Sequence, residues 1–438
     1  MQGPDMTDTP STRHASFLLA LSISLLAASD SAGAFHSGSS GECDGCHTIH
    51  GFQGGIPAAS LGPHLLKGSD SGSTCLNCHQ QSGDTGPTTY HVSTPQSEMP
   101  PGIPPKQLSA GGDFGWLKKN YSWIPALGSP MEQSPGDNHG HNIIAFDYGY
   151  FSDSLLANAP GGSYPSTSLT CTSCHDPHGR YRRNADGSFS TTGKSVQDSG
   201  SHVSSPTPDA VASVGSYRLL GGVGYFPKSM GPGFAFTSRP PDAVAPDTFN
   251  RSEAVTLTRV AYGWGMSEWC LNCHPTMHTG GTEPLQHPFG PGNGELRRSD
   301  VLTHYNQYIK TGDLGGTEAT SWLSLVPFEI GTTNYAVMKN IVAVTPTKGP
   351  SETDGNPQVM CLSCHRSHAS GWDDMTRWNT RSQYVVYNGS YSQEGSAYQP
   401  YGQGRSEQEA LRAMYDIPAT RFASMQTTLC HKCHEPIP

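Results

Sequence analysis

Every cysteine of this 438-residue chain belongs to a Cys-x-x-Cys-His unit, and six such units are present. They comprise Cys43, Cys46 and His47; Cys75, Cys78 and His79; Cys171, Cys174 and His175; Cys270, Cys273 and His274; Cys361, Cys364 and His365; and Cys430, Cys433 and His434. In this pattern two thiols add across the two vinyl groups of a porphyrin, and the following histidine becomes an axial ligand of the iron. The expectation is six covalent haem c groups, attached through these twelve cysteines, with the six motif histidines as proximal ligands. Two other readings use part of the pattern. Three zinc ions with four thiolates each would consume the cysteines, as would a disulfide framework. Neither gives a role to a histidine after every second cysteine.

Hydrophobic residues are 34% of the chain, and it contains 51 glycines and 35 prolines. Alone, this argues against ordinary cores and toward partial disorder. Six large apolar macrocycles resolve the conflict, because their burial supplies the hydrophobic term that the side chains lack. The expected fold is a multihaem c-type cytochrome: predominantly coil, with short α and 3-10 helices and a few short strands, wrapped around a continuous chain of haems. The formal net charge of -10 becomes more negative with the haem propionates. No basic run suggests a nucleic-acid partner.

Residues 1–34 have the pattern of a signal peptide. Arg13 supplies a positive region, Phe17 to Ala28 an apolar run, and Ala32-Gly33-Ala34 a small-residue cleavage site. The run is too short to span a bilayer. Export agrees with haem attachment, which in bacteria occurs outside the cytoplasm. Residues 35–438 are then expected to form a single hexahaem domain. The gaps between successive motifs are 27, 91, 94, 86 and 64 residues, with no strict repeat beyond the motif itself. Short helices are expected around the motifs, from Arg405 to Tyr415 and from Asp300 to Lys310. Short strands are expected near Asn334 to Val344 and Gln383 to Asn388. Glu98 to Gly112 and Ser229 to Asp247 read as loops.

A second axial ligand decides whether a haem moves electrons or binds substrate. Thirteen histidines lie outside the motifs and after residue 34. His50, His178 and His368 each follow a proximal histidine by three residues, and His278 follows His274 by four. A histidine this close cannot reach the far side of its own porphyrin but can reach a neighbouring haem. His91, His141, His287 and His36 complete a set of eight candidates for six positions. His64, His139, His202, His304 and His431 are expected at the surface. Bis-histidine ligation is favoured over methionine, and with it low potential.

These residues resemble the extracellular, filament-forming hexahaem c-type cytochromes of OmcS type from metal-reducing bacteria. The likeness rests on Phe35-His36-Ser37-Gly38, Gly83-Asp84-Thr85-Gly86-Pro87, Gly111-Gly112-Asp113-Phe114-Gly115-Trp116 and Gly140-His141-Asn142-Ile143. It continues through Asp176-Pro177-His178-Gly179, Gly265-Met266-Ser267-Glu268-Trp269-Cys270 and Arg366-Ser367-His368-Ala369-Ser370-Gly371. The resemblance implies stacked and T-shaped haem pairs and head-to-tail polymerisation into a conductive filament. It implies that His50 ligates a haem of the adjacent protomer, the one held by His365. It also implies a location outside the cell or at its surface, with metal oxides as acceptors and outer-membrane electron conduits as partners.

Three functions remain in competition. An electron conduit needs dense haems with saturated irons, as here. A multihaem reductase needs one open or unusual haem site, whereas all six motifs are regular. A monomeric periplasmic shuttle shares the conduit's chemistry without polymer contacts. The reading is therefore a conduit, not an enzyme.

Overall fold

The computed structural model describes residues 43–48, 52–53, 56–57, 65–81, 90–249, 259–277, 299–309, 314–345, 347–395 and 399–434. Residues 1–34, expected as a signal peptide, and His36, His50, His64, His278 and His287 lie outside the described residues. Coil dominates, as composition leads one to expect. The helices are α1 (Cys43–Cys46), α2 (Ser71–His79), α3 (Met266–Cys270), α4 (Ser299–Gln307), α5 (Tyr335–Val344), α6 (Cys361–Cys364) and α7 (Glu407–Ala413). Among the described residues, the largest sheet has four strands of two to four residues each, between Arg182 and Gly215. No described helix is long and apolar enough to cross a membrane.

All six motifs lie on helical turns. Three are on α1, α2 and α6, and two begin on the 3-10 turns Cys171–Ser173 and Leu429–Lys432. The fourth begins at Cys270, the last residue of α3, and continues through a turn in which the Cys273 and His274 N–H groups donate to Cys270 O. A helical turn places residues i and i+3 on one face, so both thiols of a Cys-x-x-Cys unit face the same way. Local chemistry starts these turns. Asp70 accepts the Ser73 N–H at 2.8 Å, while Ser173 and Ser363 accept the Thr170 and Met360 N–H groups at 2.9 and 3.1 Å. Each of these contacts satisfies a backbone donor that a short helix would leave unpaired.

The helix expected from Arg405 to Tyr415 forms as α7, begun by a reciprocal Ser406–Glu409 cap of 3.0 and 3.1 Å. The helix expected from Asp300 forms as α4. Tyr384–Tyr387 is a strand, paired with Ser390–Tyr391 and Met425–Thr427. The strand expected near Asn334 to Val344 is instead helix α5. Its β-branched content suggested a strand, but Tyr335, Met338 and Val342 bury one helical stripe, and the Asn334 side chain caps Ala336 and Val337 at 3.0 and 3.2 Å.

Apolar side chains also pack more extensively than composition suggests. One cluster joins α4, α5 and α7 through Tyr305, Tyr308, Leu325, Phe328, Ile330, Met338, Val386 and Met414, with Cys364, Cys430 and Cys433 against it. Cations are buried beside it. The Lys432 ammonium donates to the carbonyls of Tyr305, Tyr308 and Ser321 at 2.8, 2.9 and 2.6 Å. All three of its protons are thus matched, which offsets the desolvation of a buried charge.

Glu329 is fully buried and accepts the Met266 N–H at 3.2 Å. Burial and the nearby Glu268 push its carboxyl up to about 9. The unfolded chain ionises this group near its ordinary value, so between there and about 9 the native state holds the extra proton. Stability therefore falls as pH rises through that window, by up to about 1.4 kcal/mol per unit. Glu329→Gln keeps an acceptor without the titration. Thermal unfolding of the haem-loaded variant is expected to flatten between pH 5 and 8, with a gain on the order of 3 kcal/mol at pH 8. An unaltered pH slope would refute this.

Candidate haem-binding sites

Consecutive motifs are neighbours in space. The thiols interact in order along the chain: Cys46 with Cys75 and Cys78, Cys75 with Cys171, Cys174 with Cys273, Cys270 with Cys361, and Cys364 with Cys430 and Cys433. Hydroxyl contacts tie two of the pairs. Ser71 Oγ lies 2.7 Å from Thr170 Oγ1, and Ser267 Oγ accepts the Cys361 N–H at 3.1 Å. Burial, reinforced by Cys273, raises the Cys174 thiol to about 12; burial with Cys433 and Cys430 does the same to Cys364.

The first, third and fifth motifs share a backbone unit that has no sequence repeat. At the first, Thr48 N–H donates to Leu65 O at 2.9 Å and Lys67 N–H to Cys46 O at 3.0 Å. At the third, Asp176 N–H reaches Leu219 O at 2.7 Å and Gly221 N–H reaches Cys174 O at 2.8 Å. At the fifth, Arg366 N–H reaches Met375 O and Arg377 N–H reaches Cys364 O, both at 2.8 Å. The accepting residues Leu65, Leu219 and Met375 are left-handed, with φ of 58°, 54° and 57°. Arg218 and Asp374, each one residue earlier, are also left-handed, with φ of 51° and 57°. Such backbone costs about 1–3 kcal/mol per residue, and here it aims a carbonyl at a histidine. His175 Nδ1 donates to Arg218 O at 2.8 Å and His365 Nδ1 to Asp374 O at 2.7 Å.

The same arrangement of Nδ1 recurs elsewhere. His79 donates to Tyr90 O at 2.7 Å and His274 to Pro160 O at 2.9 Å. His141 donates to Ser367 O at 2.8 Å, and His368 Nδ1 lies 3.3 Å from Gly112 O. A proton held on Nδ1 leaves the Nε2 lone pair for a metal. Desolvation and the neighbouring His175 press His368 down to about 3, so its imidazole stays neutral. Desolvation also lowers His141 and His274.

Three motif histidines face three candidate distal histidines. The ring centroids are 6.5 Å apart for His47 and His178, 6.3 Å for His175 and His368, and 6.2 Å for His274 and His141. Metal–imidazole bonds of about 2.0–2.1 Å, with each ring centre about 1.1 Å behind its donor atom, put two trans imidazoles about 6.3 Å apart. Each pair is thus spaced for one ion between its rings. The interplanar angles are 11°, 64° and 43° in the same order.

His91 is buried, with its ring 4.6 Å from that of Tyr90, which in turn packs at 5.5 Å on His79. His36, His50, His278 and His287 lie outside the described residues. His139, expected at the surface, is fully buried, and His202, His304 and His431 are half-buried. His139 lies inside because its ring is hydrogen-bonded on both sides: Nδ1 to Trp116 O at 2.9 Å and Nε2 to Ser134 Oγ at 2.8 Å. The left-handed residues Arg218 and Asp374, whose carbonyls accept from His175 and His365, carry no signal in the sequence, since neither is a glycine.

The donor set fits haem better than zinc. Among the described residues, no three His, Cys, Asp or Glu side chains converge on a possible metal position, whereas structural zinc needs four. Buried N–H groups also await acceptors: Nε and Nη1 of Arg259 and the indole nitrogens of Trp322 and Trp378. Both tryptophans belong to the cluster that packs on Cys364, Cys430 and Cys433, and Arg259 lies 5.9 Å from the Trp322 ring centre. Buried donors are rarely left unpaired, and carboxylates of the propionate kind are suitable partners.

No protein-family model matches the chain. It is similar to the C-type cytochrome OmcS of Geobacter sulfurreducens, with 48% identity over 425 residues, covering 94% of this chain and 96% of that protein. Its structure is similar to that of the OmcS nanowires from Geobacter sulfurreducens, solved by cryo-EM, with a TM-score of 0.82 and 47% identity over 91% of this chain and 99% of the other. The outer membrane cytochrome S filament from the same organism matches with the same TM-score, identity and coverage.

Proposed function

Because the chain belongs to the family of the C-type cytochrome OmcS, we propose that it is an extracellular electron conduit built from six bis-histidine haems. Residues 1–34 direct export, and residues 35–438 form one hexahaem unit that polymerises head to tail. Electrons reach it from outer-membrane conduits and leave to external acceptors such as metal oxides. Bound haem supplies one-electron redox chemistry at each iron. The chain's part is to hold the haems close, since tunnelling falls exponentially with the gap, and to fill both axial positions, which leaves no site for a substrate.

One observation carries this reading: the trailing histidine of an odd motif meets the motif histidine two motifs earlier. His178 follows the third motif and lies 6.5 Å from His47 of the first; His368 follows the fifth and lies 6.3 Å from His175 of the third. The first motif shares their backbone unit, and its trailing histidine is His50. Its own chain has no motif two steps back. Counting through a period of six, His50 pairs with the fifth haem, on His365, of the preceding protomer. This agrees with the role implied by family resemblance.

Intact-mass measurement is expected to show six haem additions. The spectra are expected to be low-spin throughout, and the reduced protein is expected to bind no CO. Four or fewer haems, or a high-spin haem that takes CO, would overturn the reading in favour of a smaller carrier or a reductase.

A further inference from the structure

His141 and His368 are candidate ligands of different haems, the fourth and the third, yet they share one piece of backbone. Gly140 bridges Ala369 in antiparallel pairing. The His141 N–H donates to His368 O at 2.9 Å, and Ser370 N–H donates to His139 O at 2.9 Å. The two segments touch so closely that a Cβ on Gly140 would lie 2.3 Å from His368 O and 2.6 Å from the Ala369 Cβ. On the far side, the His368 N–H donates to Gly111 O at 2.7 Å. A Cβ on Gly112 would lie 1.8 Å from Ala369 O.

A buried polar cluster lies against this ladder. His139, Ser134 and Arg405 are each completely buried. Ser134 Oγ lies 2.8 Å from His139 Nε2 and donates to Asp373 Oδ1. The Arg405 guanidinium donates to Ser134 Oγ at 3.2 Å, to His139 Nε2 at 3.4 Å and to the carbonyls of Gln403 and Gly371. Tyr121 and Trp372 flank it at 4.3 and 4.6 Å. Asp373 supplies the counter-charge, with Arg381 at 3.4 Å on its outer oxygen. The cluster therefore ties residues 134–139, directly before His141, to residues 371–373, directly after His368. It resembles a Ser–His–Asp set in composition only: it is buried, and His139 Nδ1 is held by a backbone carbonyl, so it offers no nucleophile to a substrate.

Building on the ligand pairing proposed above, we propose that Ser134, His139, Asp373 and Arg405 are positioning residues for electron transfer between the third and fourth haems. They lock the ladder on which both distal ligands are mounted, so the two imidazoles move as one body. A buried hydrogen-bonded network rigidifies the backbone segments it ties. Relative motion of the two ligands, which would modulate the gap between these haems, is thereby suppressed.

The test uses the haem-loaded protein and two variants. Gly140→Ala inserts one methyl group into the ladder; its φ of -179° is open to any residue, so only the crowding matters. Ser134→Ala removes one oxygen from the cluster and adds no volume, and it serves as the test if Gly140→Ala does not accumulate. In either variant, six haems are expected to remain low-spin. Two of the six are expected to shift together in their EPR g values and midpoint potentials, while four stay as in the wild type. No shift, a shift of one haem alone, or an equal drift of all six would overturn the proposal. His141→Ala and His368→Ala separate the two levels. If neither produces a high-spin haem, the ligand pairing itself has failed. If both do while Ser134→Ala and Gly140→Ala move fewer or more than two haems, the pairing stands and the shared mount does not.

Discussion

A His50→Ala variant is expected to carry all six haems and to form no filaments. A contact between unlike surfaces that does not close on itself generates an open helical polymer. If His50 completes the coordination of the neighbour's fifth haem, each such contact adds a metal–ligand bond, and assembly becomes linked to coordination as metal binding is linked to folding. Removing the imidazole deletes that bond and leaves both protomers otherwise unchanged. The isolated protomer should then show one of its six haems with an open or substituted sixth position, and the reduced form should bind CO at that haem alone. Electron microscopy reads the filaments and intact mass reads the haem count. Normal filaments in the variant would show that His50 ligates within its own chain or not at all.

The second large effect concerns ligation within the protomer. His178→Ala, His368→Ala and His141→Ala should each turn one haem from low to high spin: the first, the third and the fourth, respectively. The centroid spacings of 6.5, 6.3 and 6.2 Å leave space for one iron between each pair of rings. His141 and His368 are held in register by carbonyls at their Nδ1 atoms and by backbone pairing, and His178 by the Asp176 carboxylate, which accepts its backbone N–H at 3.1 Å. The effect should be large because a lost axial imidazole changes spin state and opens the iron to CO; it is a change of kind in one haem out of six. The three wild-type haems should also differ in EPR, because their ring planes meet at 11°, 64° and 43°. Unchanged low-spin spectra in all three variants would reject the pairing.

Much of this was legible from local pattern. Helix α7 is readable because its signal, Ser406 followed by Glu409, is a contact between residues three apart. The helical turns at the motifs are readable because two thiols must face one way. Helix α5 was misread as strand because the β-branched residues of 334–344 favour extended backbone, and only packing against the core selects its helical stripe. His139 was misplaced for a related reason: a histidine in a polar segment looks solvated until Trp116, Asp373 and Arg405 are brought around it from distant positions, with Ser134 from nearby.

By itself, then, the sequence determined the chemistry available for attachment: six Cys-x-x-Cys-His units and a surplus of histidine. These are properties of residues within a few positions of one another, where covalent geometry and helical spacing leave little choice. The tertiary structure alone decided which imidazoles meet. His47 and His178, His141 and His274, and His175 and His368 are each separated by more than a hundred residues. Their meeting depends on left-handed backbone at Leu219 and Met375 and on glycines at 111, 112 and 140 that let two segments touch. Loop closure over such distances leaves no periodic trace in the chain, so which imidazoles become neighbours is a property of the folded molecule.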